Sequence, residues 1–244
     1  MSKDKIEPKS CPICGVQTNY VHRIFEANIN EEADWYDCQC GVIFQENFPK
    51  HEIYNKDYFE NYACMKDGKR RLIHAARTYS PLIEELTYGR MMLDVGFCTP
   101  NVMKYFTDRG WITWGIDVNK HTGATGNYYC GNFLDYDFSI NIDKDKALEL
   151  TGCSEIKRTF DLIWMSHTLE HFNYPLEALK KSYDLLSDTG VIFIAVPDID
   201  FIRKTGINAY PHWKLREHYT LWSEGALVRE LERIGFKVIM RRRN

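Results

Sequence analysis

From Met91 onward the sequence alternates short apolar runs with amphipathic stretches, and this alternation constrains the fold more than any other feature of the chain. Strands are predicted at Met91 to Val95, Trp111 to Ile116, Tyr128 to Cys130, Phe160 to Met165, Val191 to Val196 and Phe236 to Met240. Helices are predicted at about Pro100 to Asp108, Pro175 to Leu186 and Ser223 to Ile234, with the charged interval Asp137 to Arg158 a long connection carrying a short helix. Parallel strands need a crossover, and amphipathic helices supply it while covering the sheet. The expected class is therefore α/β, a doubly wound, mainly parallel sheet with helices on both faces. Ligands of such sheets lie beyond the carboxyl ends of the strands, where the strand order switches.

The first fifty residues read differently. Cys11-Pro-Ile-Cys14 and Cys38-Gln-Cys40-Gly41 bracket a stretch without sustained periodicity. Paired thiolates on tight turns present four sulfurs tetrahedrally to zinc, and a metal replaces the core that so short a segment cannot build. Cys11, Cys14, Cys38 and Cys40 are thus the expected ligands of a structural Zn2+ in a small zinc-ribbon-like module. The second pair is spaced C-x-C, which leaves Asp37 and His51 as substitute ligands. A catalytic zinc is not expected, since nothing marks an open coordination position. The domain division expected is 1–50 for this module, 51–90 for an aromatic lid and a helical linker, and 91–244 for the α/β domain. The lid is Tyr54 to Cys64, whose aromatics pack on the following helix, about Lys69 to Tyr88, or face a ligand.

Composition excludes several classes. With 44% hydrophobic and 27% charged residues the chain has enough apolar material for a sizeable core, yet its apolar runs are strand-length. A bilayer needs about 20 consecutive apolar residues, so no membrane partner is expected. The N-terminal stretch lacks the apolar core of a secretion signal, which makes a reducing compartment, the cytoplasm, the expected location. The net charge of −3 argues against nucleic acid as a partner, despite basic clusters at Lys69 to Arg71 and Arg241 to Arg243. Nothing fixes the oligomeric state.

The chemistry-bearing residues fall at strand ends. Leu93-Asp94-Val95-Gly96-Phe97-Cys98-Thr99-Pro100 closes the first strand and opens a helix. Gly96 permits close backbone approach, and Asp94 can hold a ligand's ammonium group or the turn itself. The second strand ends in Gly115-Ile116-Asp117, where a carboxylate is placed to accept both hydroxyls of a ribose. Phe160-Asp-Leu-Ile-Trp-Met-Ser166-His167-Thr-Leu-Glu170-His171 follows later, with a Pro175-led helix and a D-x-G turn across Ser187 to Gly190.

Together these residues resemble the class I S-adenosylmethionine-dependent methyltransferases, in the branch that includes ubiquinone-biosynthesis and sugar methyltransferases, over roughly Met91 to Met240. The resemblance implies a Rossmann-like fold and S-adenosyl-L-methionine as cofactor. It implies that the turn from Asp94 through Gly96 to Pro100 contacts the methionine part and that Asp117 binds the ribose. Asn132, in Gly131-Asn132-Phe133, would accept from the adenine amine, with Phe133 supplying the following amide, and Ser166 would complete the cofactor contacts. Cys98 and Pro100 stand where the family has further glycines. By the same resemblance His167 lies near the transferable methyl. His218, in Glu217-His218-Tyr219 ahead of a serine-capped helix, either faces the substrate or is a structural hydrogen-bond partner. The family's sheet normally ends in two antiparallel strands, of which only Phe236 to Met240 fits before Asn244.

His167, Glu170 and His171 also spell the H-x-x-E-H pattern of a zinc peptidase. That reading is rejected, because these residues leave a buried strand and soon meet a proline, whereas the motif needs one helix face. The expected function is methyl transfer to a small polar acceptor, such as a sugar, nucleotide sugar or related metabolite. If the acceptor is a hydroxyl, a base must take its proton, and His167 first and His218 second are the candidates. The alternatives are methylation of a nucleic acid or protein, and a noncatalytic binding protein on a degenerate form of the fold.

Overall fold

The computed structural model describes residues 8–26, 29–46, 66–119, 127–140, 156–207 and 210–242. Five strands come first: β1 (Lys9–Ser10), β2 (Gln17–Thr18), β3 (Val21–Glu26), β4 (Glu31–Cys38) and β5 (Val42–Gln45). Next are α1 (Lys66–Leu86), β6 (Met91–Val95), α2 (Asn101–Thr107), β7 (Ile112–Asp117), β8 (Asn127–Cys130), β9 (Ser139–Ile140) and β10 (Ile156–Lys157). The remainder is β11 (Phe160–Ser166), a 3-10 turn (Leu169–His171), α3 (Pro175–Leu185), β12 (Leu186–Ala195), α4 (Asp200–Thr205), β13 (Thr220–Trp222) and α5 (Glu224–Ile234).

These elements form two compact units, one of Tyr54–Ser166 with Lys181–Ile194, the other of Met1–Ile53 with His167–Lys180 and Ala195–Asn244. The first unit contains the expected sheet, in the order β12-β11-β6-β7-β8. β11 pairs with β6, β6 with β7 and β7 with β8, all in parallel. From β6 the chain steps outward to β7 and β8, then returns to place β11 and β12 on the other side. The switch point therefore lies between β6 and β11. Met92, Leu93, Leu162, Ile163 and Met165 have no exposed surface, which is why these strands read as unbroken apolar runs rather than alternating ones. Trp164 stacks on Phe193 with ring centroids 3.8 Å apart, and packs among Phe106, Trp111 and Val102.

The second unit holds a four-stranded antiparallel sheet in the order β13-β5-β4-β3. Its core gathers Trp35, Ile43 and Ile24 from the N-terminal strands with Leu221, Trp213 and Leu215 from the other end of the chain. β13 joins this sheet through Thr220, Leu221 and Trp222, which pair with Phe44, Ile43 and Val42, so the cysteine-bearing segment shares a sheet and a core with the C-terminal one.

Other differences are local. The segment Phe236 to Met240 forms no strand, and Ile239 and Met240 are half exposed: after Gly235, at φ 125°, ends α5, its apolar residues remain at the surface rather than entering the sheet. The turn expected across Ser187 to Gly190 lies inside β12, where Ser187 Oγ donates to Asp161 at 2.8 Å. Ser223 does cap α5, accepting from Ala226 N at 3.2 Å. The expected lid, Tyr54 to Cys64, and the short helix expected between Asp137 and Arg158 fall wholly or largely outside the described residues. No described helix is long and apolar enough to cross a membrane.

Candidate functional site

In the parallel-sheet unit the carboxyl ends of β6 and β7 form one polar turn. Asp94 on β6 is opposite Gly115 on β7, and β7 ends at Asp117. Gly96 N donates to the Ile116 carbonyl at 2.8 Å, and Gly96 has φ 69°, a conformation that glycine adopts without penalty. Cys98 also has a positive φ, 46°, so the cysteine keeps the backbone shape a glycine would take, at a cost of about 1–2 kcal/mol. Its N–H donates to Asp117 Oδ2 at 3.0 Å, while Asn119 N donates to Oδ1 at 3.0 Å. Asp117 is therefore a strut of the turn as well as a candidate ribose ligand. Pro100 is the residue flanking α2, with φ −74°, and its carbonyl accepts the first intrahelical bond from Lys104.

Asp94 is 3% exposed, and burial, reinforced by the negative charge of Asp117, pushes its carboxyl well above the usual carboxylate range. Two like charges held under one turn at a switch point favour a cation there. S-adenosylmethionine carries an ammonium and a sulfonium, so the donor set fits it. Asn132 Oδ1 accepts from Leu134 N at 3.0 Å, and Phe133 is buried beneath Lys181, whose Nζ donates to the Leu134 and Tyr136 carbonyls. In this structure the Asn132 side chain thus shapes its own turn. Ser166 is the last residue of β11, at its carboxyl end.

The second unit carries a cluster of histidines around one carboxylate. His167 takes φ 54°, a strained conformation for a non-glycine residue, fixed by its N–H donating to the Ala195 carbonyl at 2.8 Å. Its imidazole is 55% exposed and holds Nδ1 3.4 Å from Glu170 Oε1. Glu170 has no exposed surface. Burial alone would raise its carboxyl, but the contact with His167 and the imidazoles packed around it outweigh this and hold it at about 2. His171 Nδ1 bonds the Glu217 carbonyl at 2.8 Å, and His218 Nδ1 bonds the His212 carbonyl at 3.0 Å. The two rings meet edge to face, 4.8 Å between centroids. Burial, and then the neighbouring His171, lowers His218 to about 3, so it stays neutral at physiological pH and is a weak base. The structure brings His167 and His218 together with Glu170. The cluster as a whole was missed in the sequence, where H-x-x-E-H was weighed only as a peptidase motif; the signal was a histidine one short loop upstream of β13.

Buried Gln45 ties this cluster to the N-terminal strands. Its Nε2 donates to the carbonyls of Leu215 at 2.8 Å and of His218, and Gln45 N donates to the Tyr219 carbonyl at 3.1 Å. Below the same strands the four expected cysteines converge. Cys11 Sγ is 3.7 Å from Cys40 Sγ, Cys14 Sγ is 3.5 Å from Cys38 Sγ, and all four sulfurs lie within 4.8 Å of one another. Tetrahedral zinc with bonds of about 2.3 Å has sulfurs about 3.8 Å apart, so the group fits the ion. Asp37, the substitute ligand allowed by the C-x-C spacing, is turned instead to His22 Nε2 at 3.2 Å. His51 lies outside the described residues.

A family model described as a methyltransferase domain matches residues 66–240. No curated protein matches the sequence significantly. Among solved structures, a SAM dependent methyltransferase from Archaeoglobus fulgidus is 17% identical, over 72% of this chain and 75% of its own, with a TM-score of 0.48. The plantazolicin methyltransferase BamL, solved with a triazolic desmethylPZN analog and SAH, is 16% identical, over 76% of this chain and 70% of its own, with a TM-score of 0.51. The last likeness is one of fold.

Proposed function

The chain belongs to the methyltransferase-domain family, as a class I S-adenosylmethionine-dependent enzyme, and on that premise we propose that it methylates a hydroxyl of a small polar acceptor such as a sugar, nucleotide sugar or related metabolite. The observation that carries the acceptor chemistry is the exposed imidazole of His167 held against the buried, ionised Glu170. A carboxylate behind an imidazole fixes its orientation and stabilises the imidazolium formed on proton uptake. His167 is then the base and neutral, buried His218 a positioning residue.

When bound, the cofactor would supply an electrophilic methyl on a positively charged sulfur and leave as the neutral thioether. His167 would take the proton of the acceptor hydroxyl as its oxygen is methylated, with Glu170 stabilising the imidazolium so formed. Most of the rate comes from alignment and from timely proton removal. Asp94 would hold the ammonium of the cofactor, Asp117 its ribose, and Gly96, Ser166, Asn132 and Phe133 its remaining contacts. The four cysteines would hold a structural zinc ion, because tetrathiolate sites leave no position for substrate.

Calorimetry with S-adenosylmethionine and S-adenosylhomocysteine tests the cofactor site: micromolar binding, about −8 kcal/mol, is expected in the wild type and is lost in Asp94→Asn. A panel of sugars, nucleotide sugars and peptides then tests the acceptor. Turnover on peptides alone would refute the small polar acceptor, and full turnover by His167→Gln would refute the base.

A further inference from the structure

The methyl-transfer reading uses His167 and the face of Glu170 turned to it, but not the convergence of Glu170 with His171 and His218. Glu170 and His171 sit on the 3-10 turn, His218 on the loop before β13, and their ligand atoms all lie within 4.8 Å of one another. Neither carboxylate oxygen of Glu170 has a hydrogen-bond partner among the described residues, although the side chain is fully buried. The His167 imidazole lies beside it, with Nδ1 3.4 Å from Oε1. A buried carboxylate so weakly satisfied is costly unless something else meets it.

A backbone carbonyl only accepts, so Nδ1 of His171, bonded to the Glu217 carbonyl, and Nδ1 of His218, bonded to the His212 carbonyl, must both carry the ring proton. In the neutral form of each ring Nε2 is then the nitrogen with the lone pair. Histidines that ligate metals are arranged this way, with the other nitrogen donating to a carbonyl or carboxylate that fixes tautomer and ring orientation. The loop bearing His218 is itself pinned, because Gln45 Nε2 holds the Leu215 and His218 carbonyls.

We propose that Glu170, His171 and His218 form a second metal site, separate from the four cysteines, that binds a divalent first-row transition ion. Two imidazole nitrogens and one carboxylate suit manganese, iron, cobalt, nickel or zinc, whereas magnesium and calcium prefer all-oxygen sets. Three protein ligands leave coordination positions open, and oxygen donors are the natural occupants. The acceptor class therefore narrows to compounds presenting adjacent oxygens, such as vicinal diols. This narrowing rests on the methyl-transfer reading; the binding of the ion does not.

The test uses the full chain with its cysteines loaded with zinc, and Mn2+ as the probe, because manganese is a poor competitor for thiolates. The fall in the free Mn2+ electron paramagnetic resonance signal counts bound ions. One equivalent bound in the wild type, weakened at least tenfold in Glu170→Gln and in His171→Gln with zinc content unchanged, supports the site. A folded wild type that takes up neither Mn2+ nor Co2+ below millimolar concentration overturns it, as does unchanged Mn2+ binding in folded His171→Gln. Should Glu170→Gln fail to fold, the wild-type titration and the half-buried His171 variant still decide. S-adenosylmethionine calorimetry on the same samples separates the two readings. Cofactor binding without Mn2+ binding removes the second site and leaves methyl transfer standing, while Mn2+ binding without cofactor binding keeps the site and removes the diol assignment.

Discussion

Removing the Asp117 carboxylate is expected to weaken the protein even when no cofactor is present. Its two oxygens accept Cys98 N–H and Asn119 N–H, each at 3.0 Å, in a side chain that is 7% exposed. Hydrogen bonds to a charged group contribute about 1.5–3 kcal/mol each, so Asp117→Ala forfeits about 3–6 kcal/mol. Relief of repulsion with buried Asp94 offsets part of that, which leaves an expected loss of about 2–4 kcal/mol. For a chain of this size each kcal/mol moves Tm by about 2–4 °C, which puts the cofactor-free variant about 5–15 °C below wild type. Asp117→Asn keeps one acceptor oxygen and should lose about half as much. Differential scanning fluorimetry without cofactor reads the strut. Repeating it with S-adenosylmethionine at about 100 times Kd, worth about 2.7 kcal/mol to a binding-competent protein, reads the ribose contact. If Asp117→Ala melts with wild type in the absence of cofactor, Asp117 is no strut and the account of the turn is wrong.

The raised Asp94 carboxyl gives binding a defined pH dependence. A cation prefers the ionised form, so binding expels the proton that the buried acid retains above its ordinary range; affinity should fall as pH falls toward that range, with proton release visible as calorimetric heats that vary with buffer ionisation enthalpy. His167→Gln should lower kcat by about 10²–10⁴ with less than about threefold change in cofactor Kd, measured by methyl-transfer kinetics and calorimetry. Trp35→Ala, at a side chain with no exposed surface, should cost about 3–5 kcal/mol in chemical denaturation, and a change below about 1 kcal/mol would contradict its place in the core. If the four cysteines hold zinc as proposed, a chelator should speed hydrogen exchange in β5 and in the Leu215 to Trp222 segment, because Gln45 and β13 join them to the cysteine-bearing segment.

The parallel sheet was legible because its central strands, β6 and β11, are buried on both faces and its helices are amphipathic, two signals that a linear pattern carries directly. The ends of β6 and β11 fell within a residue of expectation for that reason. The antiparallel sheet was not legible, because β13 is three residues long and its partner lies about 180 positions earlier; no local periodicity encodes such a pairing. Asp94, Gly96 and Asp117 could be named from their places at strand ends. Asn132 could be named but not its own hydrogen bond to Leu134, since short polar side chains choose between ligand and backbone by local dihedrals. Glu170 was hidden by its type: a fully buried acid becomes intelligible only when the histidines around it are seen.

The pairing of β13 with β5 also sets a timetable. During synthesis at about 5–20 residues per second, the roughly 180 residues between Cys38 and Thr220 take about 10–40 s to appear. Through that interval the thiol-bearing strands have emerged while the edge of β5 awaits its partner. A nascent chain in this state presents an open strand edge and oxidisable sulfurs together, so early zinc capture would protect it in two ways, by occupying the thiolates and by holding β4 and β5 in register until the ribosome delivers the last strand.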